Sequence, residues 1–272
     1  MEIRNLLLTI EYDGTDFSGW QRQPGRSTVQ GTLEEALSAV LGRSVMIHGT
    51  SRTDAGVHAY GQRATLKGAF GIPTQRLSLA VNHRLAGGMR GMAATGPIRV
   101  TAVEEMPMDF HDRFDAKAKT YIYKIRNSQN MDVFKRNYCY EIAKPLRIEA
   151  MQAAAGQIVG THDFQCFQST GGTKRETTVR TVYKLDIVQY GSDIHIEITG
   201  DGFLYNMVRI ITGTLVEVGA GKLHPMALSS IIESKDRQNA GHTAPPQGLY
   251  LAEVYYRAQE VPGYDEGTPG MG

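Results

Sequence analysis

Gly49-Thr50-Ser51-Arg52-Thr53-Asp54-Ala55-Gly56-Val57-His58-Ala59-Tyr60-Gly61-Gln62 is a polar, glycine-punctuated stretch set between two segments of alternating apolar residues. Before it, Val45 and Ile47 alternate with Met46 and His48, which predicts a short strand over residues 44–48. After it, Ala64 and Leu66 predict the next strand over residues 62–66. The bend between them gathers an arginine, a threonine and an aspartate, and Gly56 is free to take a positive φ. A loop at the mouth of two strands is where a rigid scaffold can present a reactive side chain. Asp-Ala-Gly also reads as an ordinary structural Asp turn.

Working outward, Leu6, Leu8, Ile10 and Tyr12 alternate with Leu7, Thr9 and Glu11 as a strand that ends at Asp13-Gly14. The loop that follows carries Trp20, the single tryptophan, read as a plug over the core. Residues 27–41 predict a helix. Ser27 and Gln30 have capping-box spacing, Val29, Leu33, Ala36, Leu37, Val40 and Leu41 form one stripe, Glu34 and Glu35 fall outward, and Gly42 stops it. A second helix is expected over 74–85 after Pro73, and a strand over 98–103. Pro107 interrupts a linker at 106–111.

The second half repeats that outline without repeating the sequence. Strands are expected over 119–126, 181–189, 194–199 and 248–256, with a hairpin turn at Tyr190-Gly191-Ser192-Asp193. Helices are expected over 148–159, 204–218 and from Pro225 to about 234. The expected architecture is α+β. It comprises two pseudo-symmetric domains, each a mainly antiparallel sheet with helices on one face, and an active-site cleft between them. The domains are read as 1–106, carrying the Asp54 loop, and 107–256, carrying Tyr121 and Arg209, followed by a flexible tail over 257–272.

Composition bounds the function. A chain of 272 residues with 41% hydrophobic content can bury a proper core. No run of eighteen apolar residues occurs, so no membrane span is expected, and the first residues lack the layout of a signal peptide. Two cysteines, Cys139 and Cys166, without a Cys-x-x-Cys pair, predict a reducing, cytoplasmic setting. A net charge of +1 runs against a strongly basic nucleic-acid binder, although a local basic face fits within a neutral total. Arg22, Arg26, Arg52, Arg113, Lys117, Lys119, Lys174, Arg175 and Arg180 are the candidates for such a face.

From Gly202 to Val216 the only charged side chain is Arg209, within Asn206-Met207-Val208-Arg209-Ile210-Ile211-Thr212-Gly213. A helix this apolar is enclosed, and an enclosed guanidinium needs an anionic partner. Asp54, Glu217 and Asp201 are the options, unless the head group reaches solvent. Tyr121 and Tyr123 share one strand face, and periodicity does not choose between them. Arg52 projects from the same side of its loop as Asp54. The histidines, including His48, His58, His111 and His162, lack metal-ligand spacing, and no phosphate-binding or dinucleotide motif occurs; no metal or cofactor is expected.

The run Arg52-Thr53-Asp54-Ala55-Gly56-Val57-His58 resembles the signature of the TruA-type tRNA pseudouridine synthases. Tyr12-Asp13-Gly14-Thr15, Gly19-Trp20-Gln21-Arg22-Gln23, Phe110-His111-Asp112-Arg113-Phe114, Tyr121-Ile122-Tyr123, Met207-Val208-Arg209 and Gln247-Gly248-Leu249-Tyr250-Leu251 are similar to further motifs of that family. The resemblance implies a cofactor-independent isomerase converting uridine to pseudouridine in the anticodon stem–loop of tRNA, at positions 38 to 40. It implies Asp54 as the nucleophile, Arg209 as its charge partner, Tyr121 rather than Tyr123 as the tyrosine packing the base, and Arg52 filling the gap left by the flipped nucleotide. It also implies a homodimer. The sequence departs from the family pattern at Ser51, Asp112 and Lys119, where glycine, alanine and arginine are usual. Those departures leave open a paralogue acting on another structured RNA; a non-catalytic tRNA-binding module is the second alternative.

Overall fold

A computed structural model describes residues 2–87, 95–171 and 176–265, and the chain divides into two compact units. The first unit comprises Met1–Ala116 with Leu251–Val254; the second comprises Lys117–Tyr250 with Tyr255–Gly272.

In the first unit the alternating run at the N-terminus forms β1, Ile3–Tyr12. It lies between two antiparallel neighbours, β3 (His58–Ala69) and β4 (Ile98–Met106). In register, Leu8 faces Ala64 on one side and Val103 on the other. The short strand β2 is only His48–Gly49, pairing with Thr65 and Ala64 of β3, so the expected strand over 44–48 is mostly irregular. Leu6, Leu8, Ile10, Ala64 and Leu66 share one fully buried face.

Helix α1 spans Val29–Leu41, and α2 spans Thr74–Leu85. Thr28, not Ser27, caps α1, its hydroxyl accepting the Gly31 amide, and Gly42 ends the helix at φ 68°. Gln30 is drawn away from a capping box because its amide group bonds Gln21, Glu34 and the Ile47 carbonyl. Glu34, expected on the outer side, is buried. Its carboxylate accepts the Ile47 amide and pairs with Arg22 at 3.0 Å, so it serves as the tether between α1 and the strand that follows. Asn82 of α2 bonds both backbone groups of Val100 and so fixes α2 to β4. The segment expected as a linker packs along the sheet: Asn5 donates to Pro107 and Phe110 carbonyls, and Lys67 to that of Met108.

In the second unit β5 (Ala118–Asn127) pairs in parallel with β6 (Tyr140–Ile142) and antiparallel with β9 (Asp193–Gly200). Beyond β9 lie β8 (Val179–Tyr190) and β7 (Gly160–Asp163), both antiparallel. Gly191 makes the β8–β9 turn at φ 60°. Two helices, α3 (Ile148–Ala155) and α4 (Met207–Gly219), pack together, with Met151 against Gly219. A short α5, Leu228–Ser234, follows a 3-10 turn at Pro225–Ala227. Tyr123, Ile125, Ile194, Ile196 and Ile198 supply the buried sheet face, each large side chain contributing about 1.5–3 kcal/mol.

The last strand, β10 (Leu249–Tyr255), gives its middle to the first unit, next to β3, and its ends to the second. After it, residues expected as a tail pack on the second unit. Val261 is buried with Ala118, Tyr183 and Tyr255, and Tyr264 rests on the same cluster. Apolar anchors hold this segment despite its glycine and proline content; residues 266–272 lie outside the described residues.

Candidate active site

Within the first unit, the Asp54 loop is held at nearly every residue except those it presents. The Thr50 amide donates to the Arg63 carbonyl, continuing the β2–β3 pairing by one residue. The side-chain amide of Gln62, itself fully buried, brackets Ser51: its oxygen accepts the Ser51 amide and its nitrogen donates to the Ser51 carbonyl at 2.7 Å. Thr53 is fixed twice, its carbonyl accepting the Trp20 amide and its hydroxyl bonding Tyr12 at 2.7 Å. Val57 N–H closes the turn on the Asp54 carbonyl, and Gly56 takes φ 76°.

Close backbone approach is part of this build. Gly19 sits at φ 89°, and a Cβ there would lie 2.7 Å from the Thr53 carbonyl oxygen. A Cβ on Gly14 would lie 2.0 Å from the Val57 carbonyl, and Trp20, almost fully buried, fills the space beside Gly49. Trp20 is thus the core plug expected from the sequence, wedged under the loop. What the loop leaves outward is Arg52 and Ala55, exposed, and Asp54, half-buried. A carboxylate on a backbone pinned on both sides is pre-positioned and loses little conformational entropy on meeting a reactant. His58 is buried and accepts the Gly14 amide at 3.1 Å through Nδ1, a structural role.

The second unit carries the other two candidates. Every residue of α4 except Arg209 and Glu217 is buried. Glu217 is engaged by His242, which approaches it at 2.9 Å. Arg209 Nε donates to the Ala244 carbonyl at 2.8 Å, and one terminal nitrogen donates to Asn206 Oδ1 at 2.7 Å. Asn206 starts the helix at φ 61°, a left-handed conformation that asparagine tolerates better than most residues, and this accounts for a start at Met207 rather than the expected 204. The Ala244 amide returns a bond to the Arg209 carbonyl, so the 240–246 segment braces the arginine from two directions.

Tyr121 is nearly buried and meets Phe203 edge-on, ring centres 5.2 Å apart. Tyr123 is completely buried, donates to the Pro245 carbonyl at 2.6 Å, and has its hydroxyl pushed well above its ordinary pKa by burial, with the Arg209 charge opposing. Tyr123 is therefore committed to the core beside the Arg209 brace. Tyr121 forms its ring contact with Phe203, a neighbour that periodicity alone had not singled out.

Arg52 and Asp54 sit on one loop of the first unit, whereas Tyr121, against Phe203, and Arg209, against Ala244 and Asn206, both belong to the second. Of the basic candidates, Arg22 and Arg26 line an open cavity of about 800 Å³ beside the start of α1, with Ser27, Thr28, Thr32 and Glu35. Lys174 and Arg175 lie outside the described residues. Both cysteines are buried as free thiols, and burial pushes Cys166 up to about 11. Among the described residues no group of three or more His, Cys, Asp or Glu side chains is arranged to hold a metal ion, and no helix is long and apolar enough to cross a membrane. Sequence reasoning did not single out Gln62, Asn206 or the Ala244 brace; of these, only Asn206 left a trace, as a turn-tolerant residue directly before an apolar run.

A family model described as tRNA pseudouridine synthase matches residues 8–124 and 154–257 of the chain. Among curated relatives, tRNA pseudouridine synthase A of Caldicellulosiruptor bescii is 46% identical over 254 residues, covering 93% of this chain and 100% of the relative. That of Acetivibrio thermocellus is also 46% identical over 254 residues, with the same coverage. A tRNA pseudouridine synthase A 2 of Clostridium tetani is 43% identical over 255 residues, covering 93% of this chain and 99% of the relative.

Proposed function

We propose, because this chain belongs to the tRNA pseudouridine synthase family, that it isomerises uridine to pseudouridine in tRNA, at positions 38 to 40 of the anticodon stem–loop. The observation that carries the reading is the Asp54 loop: a half-buried carboxylate on a backbone fixed through Ser51, Thr53 and Gly56, beside an exposed arginine. The reaction breaks the N1–C1′ bond, joins C5 to C1′, releases the C5 proton to solvent and returns a proton to N1. It has no net redox change, so this chain's own acid–base and nucleophilic groups suffice.

Asp54 is the nucleophile in this proposal, at ribose C1′ or at base C6. Arg209, held by Ala244 and Asn206, is the cation that keeps Asp54 ionised. Tyr121 packs the extruded uracil and assists removal of the C5 proton. Arg52, exposed on the loop, occupies the space vacated by the flipped nucleotide and meets its backbone. The Arg22–Arg26 cavity offers a further surface for RNA phosphates. The working form is a cytoplasmic homodimer, which sedimentation of the purified protein would check.

The test is tritium release from tRNA transcript labelled at uridine C5, for wild type and Asp54→Ala, without added nucleotide. Release by wild type and none by the variant is expected. No release by wild type with tRNA binding intact would overturn the assignment in favour of another RNA target or a non-catalytic binder.

A further inference from the structure

Asp112 is the most enclosed carboxylate in the first unit, fully buried, and the reaction as assigned above leaves it no role. It lies in the 107–116 segment, yet its side chain reaches two other elements. Oδ1 accepts the Thr65 hydroxyl of β3 at 3.2 Å, and Oδ2 lies 3.4 Å from the Thr50 hydroxyl, which also donates to the Asp112 carbonyl at 3.2 Å. Thr50 is the first residue of the loop that carries Arg52 and Asp54, and it is itself buried. The imidazole of His111, whose Nδ1 accepts the amides of Arg113 and Phe114, stands 3.5 Å from Oδ1. A buried carboxylate whose hydrogen bonds come from hydroxyls, with no lysine or arginine among the described residues paired to it, is expensive, and burial indeed raises the Asp112 pKa above the usual carboxylate range, against the opposing Thr65 bond and the His111 and His48 charges. An alanine would avoid that cost altogether. The other anchors of the loop, Gln62, Trp20 and Tyr12, begin at Ser51 and run onward. Thr50 is where the loop departs from the sheet, and beside the Arg63 pairing it is fixed there through Asp112.

We propose that Thr50 and Asp112 form a positioning pair that clamps the root of the Asp54 loop to the 107–116 segment, setting the loop's geometry for the isomerisation rather than touching the substrate. The proposal rests on the functional reading above. It makes this chain's loop depend on a bond that a residue without a polar side chain at position 112 would supply only through its backbone carbonyl.

The test compares wild type with Thr50→Val, Asp112→Ala, Asp112→Asn and the Thr50→Val/Asp112→Ala double variant. Asn5→Ala serves as a matched control, because it frees the same segment from β1 at Pro107 and Phe110 without touching the loop. Two readouts are taken: steady-state tritium release, and amide hydrogen exchange of peptides covering residues 49–57. Thr50→Val is expected to speed exchange across the loop and to lower kcat by about ten-fold or more with KM within about two-fold, since small misplacements of a reactive group act on the chemical step. Asp112→Ala does the same to a smaller degree, Asp112→Asn restores most of it, and the double variant is no worse than Thr50→Val. Asn5→Ala melts earlier but keeps kcat and loop exchange. Unchanged exchange in Thr50→Val, additive losses in the double variant, or an equal kcat loss in Asn5→Ala would overturn the clamp. Wild-type protein that releases no tritium would sink the functional reading and the catalytic purpose of the clamp, while the exchange pattern still decides whether the clamp exists.

Discussion

Gly19→Ala should damage the candidate site from outside it, and Gly42→Ala provides the calibration. Both glycines have positive φ, 89° and 68°, so alanine at either meets the left-handed penalty of about 1–2 kcal/mol. At Gly42 that is the whole effect, because a Cβ there meets nothing within 4 Å. At Gly19 the new Cβ would stand 2.7 Å from the Thr53 carbonyl oxygen and 3.1 Å from the Asp54 carbonyl carbon, all backbone atoms that have to move. Overpacking of this kind costs about 1–3 kcal/mol more, and each kcal/mol lowers Tm by about 2–4 °C in a chain of this size. Moving Thr53 also disturbs its bonds to Trp20 and Tyr12, so the Asp54 carboxylate shifts by some tenths of an ångström. A tenfold or larger loss of kcat follows, on the scale of about 10²-fold for a 1 Å misplacement. Circular-dichroism melts and single-turnover tritium release below both melting transitions separate the two effects. Gly19→Ala protein with the kcat of Gly42→Ala and no greater loss of Tm would refute the reasoning.

Three other outcomes follow from the same geometry. Asn206→Gly keeps the φ of 61° but removes the acceptor 2.7 Å from Arg209, a bond to a charged group worth about 1.5–3 kcal/mol; kcat should fall about tenfold or more, and Asn206→Ala should add about 1 kcal/mol of instability in urea melts. Asp112 has a raised pKa in the folded state, so its ionised form is the disfavoured one: the penalty is absent below the ordinary carboxylate pKa and grows as pH rises through the folded value. Asp112→Asn should therefore gain stability relative to wild type at neutral pH and lose that advantage in acid, as followed by urea midpoints across pH. Glu217 behaves oppositely. Burial pushes its pKa up, but the bonds from His242 outweigh this and hold it below the ordinary value, so its contribution is present at neutral pH and disappears as pH falls through the folded value; Glu217→Gln should be less stable than wild type at pH 7 and equal to it in strong acid.

Much of the fold was legible because the local signals were strong. The stripe of α1 and its Gly42 stop, the whole of α2 at Thr74–Leu85, and the β8–β9 hairpin with Gly191 all follow from periodicity and turn chemistry. Where the reading slipped, a distant partner had overridden a local preference. Gln30 left the capping box for Ile47, Glu34 turned inward to meet the Ile47 amide, and Asn206 delayed α4 by adopting a left-handed conformation. Short β6 and β7 carry too few residues for a pattern to declare them, since pairing, not alternation, defines them. At the site, the presented residues of the Asp54 loop were readable as a motif, whereas what fixes them was not. Gln62 and Tyr12 reach Ser51 and Thr53 through side-chain bonds whose partners are separated by 11 and 41 residues, and no spacing rule connects them.

The placement of β10 has a consequence for how the protein is made. The first unit is nearly complete in sequence by Ala116, but β3 receives its neighbouring strand from Leu251–Val254. On a ribosome that strand emerges roughly 140 residues later, on the order of ten seconds at about 5–20 residues per second. For that interval the part of the β3 edge ahead of its pairing with β2, from His58 to Gln62, stands open directly behind the Asp54 loop, a short row of backbone donors and acceptors able to pair with another nascent chain. Truncation just before Leu251 would make the interval permanent. β10 is in this sense a timed closure, and the unit that carries the Asp54 loop is sealed only after most of the second unit has been synthesised.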